Sequence, residues 1–317
     1  MLASVRAATI VGGRVRVAER PDPDAGEGQI LVRVRAAGLN GADVLQRRGA
    51  YPPPAGAPPD IPGLELAGEV VAAGRGARRF SVGDRVMSIT GGGAQAELAV
   101  VHEREAMPVP GRLGWEEAGA FPEAFTTAHD ALFTQAGLAM GERVCVHGGA
   151  GGVGTAAVQL ARRAGARVVA TVRDRAHRES VAALGATAVD PAEAEAHGPY
   201  DVVLELVGGP NMAANLRALA LGGRIAVVGV GAGTRTEIDL LQLMAKRCRI
   251  HGSTLRSRAL EAKAAAARQV ESHVLPLLGS AEVRVPIDAV YGLTDAAAAY
   301  ARFEAGGKFG KIVLTMP

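Results

Sequence analysis

The sequence predicts an α/β protein with two domains, a β-rich domain and a doubly wound parallel sheet. The chain has 317 residues, 48% of them hydrophobic, which is more than one compact core usually holds. Up to about Phe121, short β-like runs alternate with glycine and proline clusters. From about Thr126 the pattern becomes strand, glycine turn, helix and strand, which is typical of βαβ units in a parallel sheet.

The composition excludes several classes of protein. Arg217 and Arg224 interrupt the most apolar region, so no stretch reaches the roughly 18 consecutive apolar residues of a membrane helix. The N-terminus has no basic segment followed by a compact apolar run, and we expect no secretory signal. The two cysteines, Cys145 and Cys248, exclude a disulfide scaffold and favour a reducing, cytoplasmic compartment. The net charge is only +3, with basic residues in pairs rather than long runs, so we do not expect nucleic-acid binding.

The β-rich domain is predicted from four short strands and a C-terminal tail. Each strand is rich in β-branched or apolar residues and lies between turn-forming residues. The strands are Ile30 to Val34, Glu69 to Ala73, Arg85 to Ile89, and Ala96 to Val101. After a helix at Leu260 to Glu271, the tail Lys311 to Thr315 is a further strand, which we expect to pack back on this domain.

The parallel sheet is predicted from four strands separated by helices. Thr155 to Ala164 is helical, and a second helix ends at Ser180 to Leu184 with Gly185 as its stop. The strands are Arg143 to His147, Val168 to Val172, Asp201 to Val207, and Arg224 to Val230.

The strongest local motif is the glycine turn between His147 and Gly154. Its glycines are spaced as Gly149-x-Gly151-x-x-Gly154, and the turn follows a strand and opens a helix. In a βαβ unit this pattern lets the backbone approach a pyrophosphate, and the amides of the first helical turn face the phosphates. The alternative is an ordinary glycine-rich turn, but the βαβ pattern that follows favours dinucleotide binding. We expect His147 itself to pack rather than to catalyse.

The identity of the dinucleotide depends on the end of the second strand of this sheet. Arginines at that position hold the phosphate of NADP, whereas an acidic residue holds the ribose of NAD. The segment Val172 to Arg178 contains three arginines and a histidine, which favours NADPH because guanidinium groups bind dianionic phosphate well. Asp174 leaves the NAD role open, and a third interpretation is that these charges only solvate a helix start.

Several segments together resemble one family. The whole chain is similar to the zinc-free quinone oxidoreductases, the zeta-crystallin-like branch of the medium-chain dehydrogenase/reductase superfamily. The matching segments, besides the glycine turn, are Ala36 to Asp43, Ile61 to Gly68, Phe80 to Val86, Gly91 to Ala96, Phe121 to Ala128, Gly252 to Arg258, and Gly310 to Leu314.

The resemblance implies a GroES-like catalytic domain of residues 1–121 and 256–317 around a Rossmann domain of residues 122–255, with the cofactor in the cleft. The family often has a tyrosine beside the adenosine ribose, where this chain reads Val189-Asp-Pro191. The adenosine site is therefore expected to be weaker or built differently. The residues that the motif and the resemblance together assign to NADPH are Thr127, Gly149, Gly151, Gly152, Val153, Gly154, Arg173, Asp174, Arg175, His177, Arg178, Val230 and Arg256.

A zinc ion is not expected. A catalytic zinc site needs three ligands from Cys, His or carboxylate side chains. The zinc-dependent relatives carry cysteine and then His-Glu in the segments that here read Gly38 to Asn40 and Leu64-Glu65. Without zinc, we expect Glu65 to be a structural partner for an arginine.

Three residues are candidates for the chemistry at the substrate. Asn40 can donate an amide hydrogen bond to an acceptor oxygen, and Asp43 can fix its loop. Tyr51, before a proline-rich loop, can donate a hydrogen bond as negative charge develops on oxygen. The alternatives are that Asn40 and Asp43 only cap a helix and that Tyr51 only packs.

The predicted reaction is NADPH-dependent reduction of a small quinone by direct hydride transfer without metal. Reduction of an enone or enoyl thioester is the nearest alternative, because the same hydride suits both acceptors. A non-catalytic NADPH-binding protein, structural or RNA-binding, is the alternative of a different class. We also expect a homodimer, from the family and from the apolar strand Arg224 to Val230, interpreted as lying near an exposed sheet edge.

Overall fold

The computed structural model describes residues 4–317. The chain separates into two compact units. Unit 1 contains the residues up to Thr126 together with Leu255–Pro317, and unit 2 is Thr127–Thr254. Along residues 4–317, no helix is long and apolar enough to cross a membrane.

The N-terminal segment of unit 1 is mainly β-structure. A helix, α3, then contains the division between the units. The elements are β1 (Ser4–Val11), β2 (Arg14–Pro21), β3 (Gln29–Gly38), α1 (Gly41–Arg47), β4 (Glu65–Ala73), β5 (Arg85–Ile89), β6 (Leu98–His102), β7 (Ala106–Pro108), α2 (Trp115–Ala120) and α3 (Pro122–His129).

Unit 2 alternates strands and helices. Its elements are β8 (Arg143–Val146), α4 (Gly152–Arg163), β9 (Arg167–Thr171), α5 (Arg178–Ala182), β10 (Thr187–Val189), β11 (Tyr200–Glu205), α6 (Met212–Ala218), β12 (Leu219–Val227), α7 (Leu240–Lys246) and β13 (Arg249–Gly252).

The C-terminal segment returns to unit 1. It contains α8 (Leu260–His273), α9 (Leu275–Gly279), β14 (Ile287–Gly292), α10 (Ala296–Ala305) and β15 (Lys311–Thr315). Strand β15 pairs with β3 and with β14, so the expectation that the tail packs back on the first domain is confirmed.

A seven-stranded sheet forms the centre of unit 1. Its strand order is β14-β15-β3-β4-β5-β7, and β6 also pairs with β3. Alternate residues of β3, namely Ile30, Val32 and Val34, are fully buried, because successive side chains of a strand point to opposite faces. They pack in a core that includes Tyr300 of α10.

The sheet of unit 2 is parallel throughout, with the strand order β10-β9-β8-β11-β12-β13. Written from the first strand of the unit, this is the order 3-2-1-4-5-6 of a doubly wound fold. The strand order reverses between β8 and β11, and the carboxyl ends of parallel strands at this switch point are where such folds bind ligands. The predicted combination of a β-rich domain and a doubly wound sheet is confirmed.

One strand of this sheet was not predicted. The apolar strand that was expected near the sheet edge is β12, which pairs with β11 on one side and with the edge strand β13 on the other. The edge strand is β13, whose four residues include Arg249 and His251. A strand this short and polar shows almost no periodicity, so β13 was not predicted from the sequence.

Candidate functional site

The glycine turn of unit 2 follows β8 at the switch point of the sheet. A Cβ on Gly154 would lie 2.3 Å from the carbonyl oxygen of Gly148. A Cβ on Gly149 would lie 2.8 Å from the Cβ of Ala170 in β9. Both glycines are therefore required for the close approach of helix α4 to the turn and of the turn to the sheet.

Helix α4 begins directly after this turn. Gly151 is its N-cap residue with extended backbone, and the first turn contains Gly152, Val153 and Gly154 with no acidic side chain. The first amide groups of a helix have no carbonyl partner within the helix and carry the positive end of its dipole. The turn therefore presents backbone N–H donors, and the glycines keep side chains out of their way.

A buried chain of hydrogen bonds supports the turn from behind. The Gly148 amide donates to Thr171 Oγ1 at 3.1 Å, and that hydroxyl lies 3.2 Å from His147 Nδ1. His147 Nε2 lies 2.6 Å from Asn215 Oδ1, and Asn215 Nδ2 donates to Glu205 Oε2 at 2.7 Å. Because the Asn215 amide donates to a carboxylate, its oxygen faces His147, so His147 Nε2 is the donor in this hydrogen bond.

Glu205 is the fixed end of this chain. Its side chain is fully buried at the carboxyl end of β11. Its Oε1 accepts the backbone amides of Val207 and Gly208 at 2.7 and 2.8 Å. We call the four residues His147, Thr171, Asn215 and Glu205 the glycine-turn anchor. The anchor joins the end of β8 to β9, β11 and α6. His147 does pack, as expected, but sequence analysis missed the three partners because they are spread over distant segments.

The charged segment after β9 separates into two groups. Arg173 and Arg175 are exposed, and within residues 4–317 their side chains make no hydrogen bond or ion pair. Arg178 differs, since its guanidinium donates to Asp190 Oδ2 at 2.5 Å and to the Val172 carbonyl at 3.2 Å. Two of the three arginines are therefore open to a ligand, and the third closes the turn.

The two other polar residues of this segment flank the open arginines. The Asp174 side chain caps the short helical turn that follows it, by accepting the Ala176 amide at 3.0 Å. His177 Nε2 lies 3.9 Å from the Asp174 carboxylate. Asp190, where the resemblance led us to look for a tyrosine, holds Arg178.

Two further predicted cofactor residues lie elsewhere in unit 2. Thr127 is half-buried in α3. Val230 follows β12 and is 38% exposed, which is high for a valine. A Cβ on Gly208 would lie 2.9 Å from the Val230 Cα, so the loops after β11 and β12 meet closely at the carboxyl edge of the sheet.

In unit 1, the predicted substrate residue Asn40 belongs to a buried polar cluster. The ammonium of Lys311 donates to Asn40 Oδ1 at 2.6 Å and pairs with Glu65 Oε1 at 2.5 Å. Asn40 Nδ2 donates to Glu65 Oε1 at 3.0 Å and to the Gly38 carbonyl at 3.3 Å. Glu65 is a structural partner as expected, but the expectation of an arginine is wrong, because the cation is Lys311 of β15.

Asp43 ties three segments of unit 1 together. Its carboxylate accepts the Asn40 amide at 2.8 Å and the Gly63 amide at 3.0 Å, and Gln95 Nε2 lies at 3.4 Å. It therefore caps α1 and also fixes the loop before β4. Burial, the largest cause, raises the pKa of the Asp43 carboxyl from 3.8 to about 6, although the amide hydrogen bonds act in the opposite direction.

Tyr51 lies against Arg256 within unit 1. The Arg256 guanidinium is centred 5.1 Å from the Tyr51 ring and donates to the Tyr51 carbonyl at 3.1 Å. It also donates to the Gly91 carbonyl at 2.8 Å and to Gln46 Oε1 at 2.5 Å. Within residues 4–317 the Tyr51 hydroxyl has no hydrogen-bond partner. Arg256 therefore holds the ring while the hydroxyl remains open.

The residues of unit 1 do not fit a catalytic zinc ion. Asn40 and Leu64 offer neither a thiolate nor an imidazole, and the Glu65 carboxylate already pairs with Lys311. Over the described residues, no three His, Cys, Asp or Glu side chains come together as ligands for a metal ion.

Two family profiles match the chain. The profile described as alcohol dehydrogenase GroES-like domain matches residues 26–111, and the one described as zinc-binding dehydrogenase matches residues 152–271. The first match lies in unit 1, and the second covers unit 2 from residue 152 onwards and continues into α8.

The chain is also similar to curated proteins and to solved structures. It is 32% identical to quinone oxidoreductase of Rattus norvegicus, over 91% of this chain and 89% of that protein. It is 37% identical to polyketide synthase GfsB of Streptomyces halstedii over 92% of this chain, which spans only 5% of that synthase. The crystal structure of an alcohol dehydrogenase superfamily protein from Novosphingobium aromaticivorans superposes with a TM-score of 0.85 at 30% identity, covering 99% of this chain and 100% of that one.

Proposed function

Since the chain belongs to the medium-chain dehydrogenase/reductase superfamily, in the zeta-crystallin-like branch with quinone oxidoreductase, we propose that it reduces small quinones with NADPH by direct hydride transfer. The observation that carries the proposal is the carboxyl edge of the unit 2 sheet. There, the glycine turn presents open amides, and Arg173 and Arg175 present open guanidinium groups.

Unit 2 is proposed to bind the dinucleotide. The amides of Gly152, Val153 and Gly154 face its pyrophosphate, and the small residues Gly149 and Gly151 let it approach the backbone. The absence of a Cβ at these positions gives the pyrophosphate the space that the motif requires.

The adenosine phosphate is proposed to bind Arg173 and Arg175. Their planar cations suit a dianionic phosphate, and with no internal partner they lose no ion pair on binding. Asp174 and His177 lie at the rim of this site, and Arg178 shapes the turn through Asp190. NADPH is therefore favoured over NADH.

The remaining cofactor assignments are carried over from the family resemblance. Thr127 is proposed to support the nicotinamide end and Val230 to face the ring. Arg256 has its guanidinium engaged by Gly91, Tyr51 and Gln46. Its proposed contribution is therefore to fix the Tyr51 loop as well as to face the cofactor.

Unit 1 is proposed to hold the acceptor. When bound, NADPH would supply a hydride that a quinone accepts without prior activation, and a proton from solvent or from the Tyr51 hydroxyl would complete the hydroquinone. The Tyr51 hydroxyl donates a hydrogen bond to the acceptor oxygen as its negative charge develops. Partial burial raises the pKa of this hydroxyl above 10, so it carries its proton at neutral pH.

Asn40 is proposed to orient the acceptor. Of its two amide contacts, the one to the Gly38 carbonyl is the longer, and this proton is the one that an acceptor oxygen can take over. Asp43 keeps Asn40 in place through the α1 cap. We propose that the reaction needs no zinc ion, because the buried cation in this cluster is the Lys311 ammonium.

A conjugated carbon–carbon double bond is the second candidate acceptor. The similarity to polyketide synthases covers 92–95% of this chain, as much as the similarity to quinone oxidoreductase. The chain spans only 5–14% of those synthases.

The test is the rate of NADPH oxidation, followed by the loss of reduced-nicotinamide absorbance, with a quinone, an enone and an enoyl thioester in parallel. Quinone turnover supports the proposal, and turnover with the alkenes alone identifies a double-bond reductase. NADPH binding without oxidation by any acceptor contradicts the catalytic proposal and favours a structural or RNA-binding protein.

We also propose that the protein is a homodimer in a reducing, cytoplasmic compartment. The support for a dimer is the edge strand β13 together with three exposed side chains of α7, Leu240, Leu241 and Met244, which are 65–75% exposed. Both cysteines are free thiols, which suits a reducing compartment. Light scattering should give twice the chain mass of 32.4 kDa, and Leu241→Glu should dissociate the dimer whereas Met140→Glu, at another exposed site, should not. A monomeric wild-type mass contradicts this proposal.

A further inference from the structure

A basic cavity lies in unit 2 at the opposite edge of the sheet from the glycine turn. Its volume is about 650 Å³, which is within the range of small-molecule sites. Arg143 begins β8, Arg167 begins β9 and Thr187 begins β10, so the cavity opens at the amino ends of these strands.

The lining of the cavity is basic, and the Asp201 carboxylate beside it accepts the Arg143 backbone amide at 2.8 Å. Three arginines and one histidine line it, and none of its described lining residues is acidic. Arg143 and Arg167 are register partners in adjacent parallel strands, which places two like charges side by side, an unfavourable arrangement when nothing neutralises them. The charge pattern therefore suits an anion.

Two of the arginines reach the cavity for structural reasons. The Arg143 guanidinium is fixed by bonds to the carbonyls of His197 and Gly198 at 3.0 and 3.3 Å. Arg162 passes over Gly185, where a Cβ would lie only 2.7 Å from its Cγ. Gly185 has a φ of +107°. A glycine at this turn therefore permits the positive φ and leaves space for the Arg162 side chain.

Two of the arginines have donors left over. Within residues 4–317 the Arg162 guanidinium makes no hydrogen bond or ion pair. Arg167 has one long contact, 3.4 Å from its Nη2 to the Gly141 carbonyl. Guanidinium groups bind phosphate oxygens through paired, charge-assisted hydrogen bonds, and the exposed Thr187 hydroxyl adds another donor.

We propose that this cavity binds a small polyanion of the phosphate class. Arg162 and Arg167 are the ligands with unused donors, and Arg143 is a positive charge fixed by the His197 and Gly198 carbonyls. Alanine and valine side chains line the rest of the cavity, so an organic group attached to the phosphate also has a surface to contact. This inference does not depend on the proposed reductase activity.

The experiment is a calorimetric titration of the protein with inorganic pyrophosphate, at low ionic strength and in the presence of saturating NADPH. NADPH is included because the glycine turn also binds phosphate groups. We expect one saturable site per chain, with an affinity that falls as salt is added. The double variant R162Q/R167Q should weaken binding by at least about tenfold, since it removes two charge-assisted phosphate contacts.

A matched variant controls for net charge. R14Q/R16Q removes two exposed arginines of β2 in unit 1, away from the cavity lining, and should bind pyrophosphate as the wild type does. Circular dichroism checks that both variants remain folded. The proposal is overturned if no saturable binding occurs, if both variants lose affinity equally, or if NADPH abolishes binding to the wild type.

Discussion

The glycine turn of unit 2 and the polar cluster of unit 1 differ in whether their hydrogen-bonding groups have partners within the protein. At the turn, the amides of Gly152, Val153 and Gly154 and the side chains of Arg173 and Arg175 make no hydrogen bond within residues 4–317. In the cluster, Lys311, Glu65 and Asn40 bind one another at 2.5–3.0 Å, and the Tyr51 hydroxyl is the group that remains open.

This difference distinguishes groups that are available to a ligand from groups that stabilise the fold. Unpaired donors at an exposed edge lose little when a ligand arrives, whereas buried charges need their partners at all times. The open groups of unit 2 are therefore assigned to ligand binding. The closed cluster of unit 1 fixes the loops that carry Asn40 and Tyr51.

The largest effect should come from removing the buried cation. Lys311→Met leaves the Glu65 carboxylate buried without its ion pair, which should lower the free energy of unfolding by about 3–5 kcal/mol. Arg75→Met, which breaks an ion pair whose side chains are 86% and 73% exposed, should change it little. Urea unfolding of both variants measures the difference, and equal effects would show that the cluster is not structural.

Asp43 gives a pH test of the same cluster. Because burial raises its pKa from 3.8 to about 6, the folded chain binds the proton more tightly than the unfolded chain. The contribution of this carboxyl to stability is therefore present below pH 3.8 and is lost as the pH rises through about 6, by at most about 3 kcal/mol.

Asp43→Asn removes this titration. Relative to the variant, the wild type should thus have a higher free energy of unfolding at pH 4 than at pH 7. Urea unfolding at the two values measures it, and a difference that stays constant with pH would contradict the burial argument.

At the glycine turn, Gly154→Ala places a Cβ against the Gly148 carbonyl. The turn must then open, and the affinity for NADPH should fall by about a hundredfold, the scale of two lost hydrogen bonds to charged groups. Gly252→Ala, in the same unit, meets no atom within 4 Å and should leave the affinity unchanged. Fluorescence titration compares the two, and similar affinities would show that the turn does not bind the cofactor.

The smallest effect is expected from the glycine-turn anchor. His147→Leu removes the partners of Thr171 and Asn215, and NADPH affinity should fall by about tenfold, as expected for one or two lost hydrogen bonds. His147→Gln retains a donor and an acceptor, and it should restore part of the affinity. Because His147 acts through the turn, the KM for the acceptor should not change, and a change in that KM instead of NADPH affinity would contradict a positioning role.

The sequence predicted local features better than distant ones. The strands Arg85–Ile89 and Lys311–Thr315 have the predicted bounds, because their apolar runs end at clear turn residues. The glycine turn was found because its motif is contiguous. The pairing of Lys311 with Asn40 was missed, since the two residues are 271 positions apart and no local pattern links them.

Other features were missed for the same reason. The ion pair between Arg178 and Asp190 joins two segments across a turn, and no local pattern indicates it. The edge strand β13 was not predicted because its four residues show little periodicity. The expected arginine partner of Glu65 was wrong because the actual partner, Lys311, comes from a distant strand.

The most direct test of the account is the pair of dissociation constants for NADPH and NADH, measured by calorimetry on the wild type and on Arg173→Gln/Arg175→Gln. We predict that the wild type binds NADPH more tightly than NADH. In the variant, the dissociation constant for NADPH should rise by about tenfold or more, while that for NADH is unchanged. Equal affinities of the wild type for the two cofactors, or a variant that retains the preference for NADPH, would contradict the assignment of the open arginines to the cofactor phosphate.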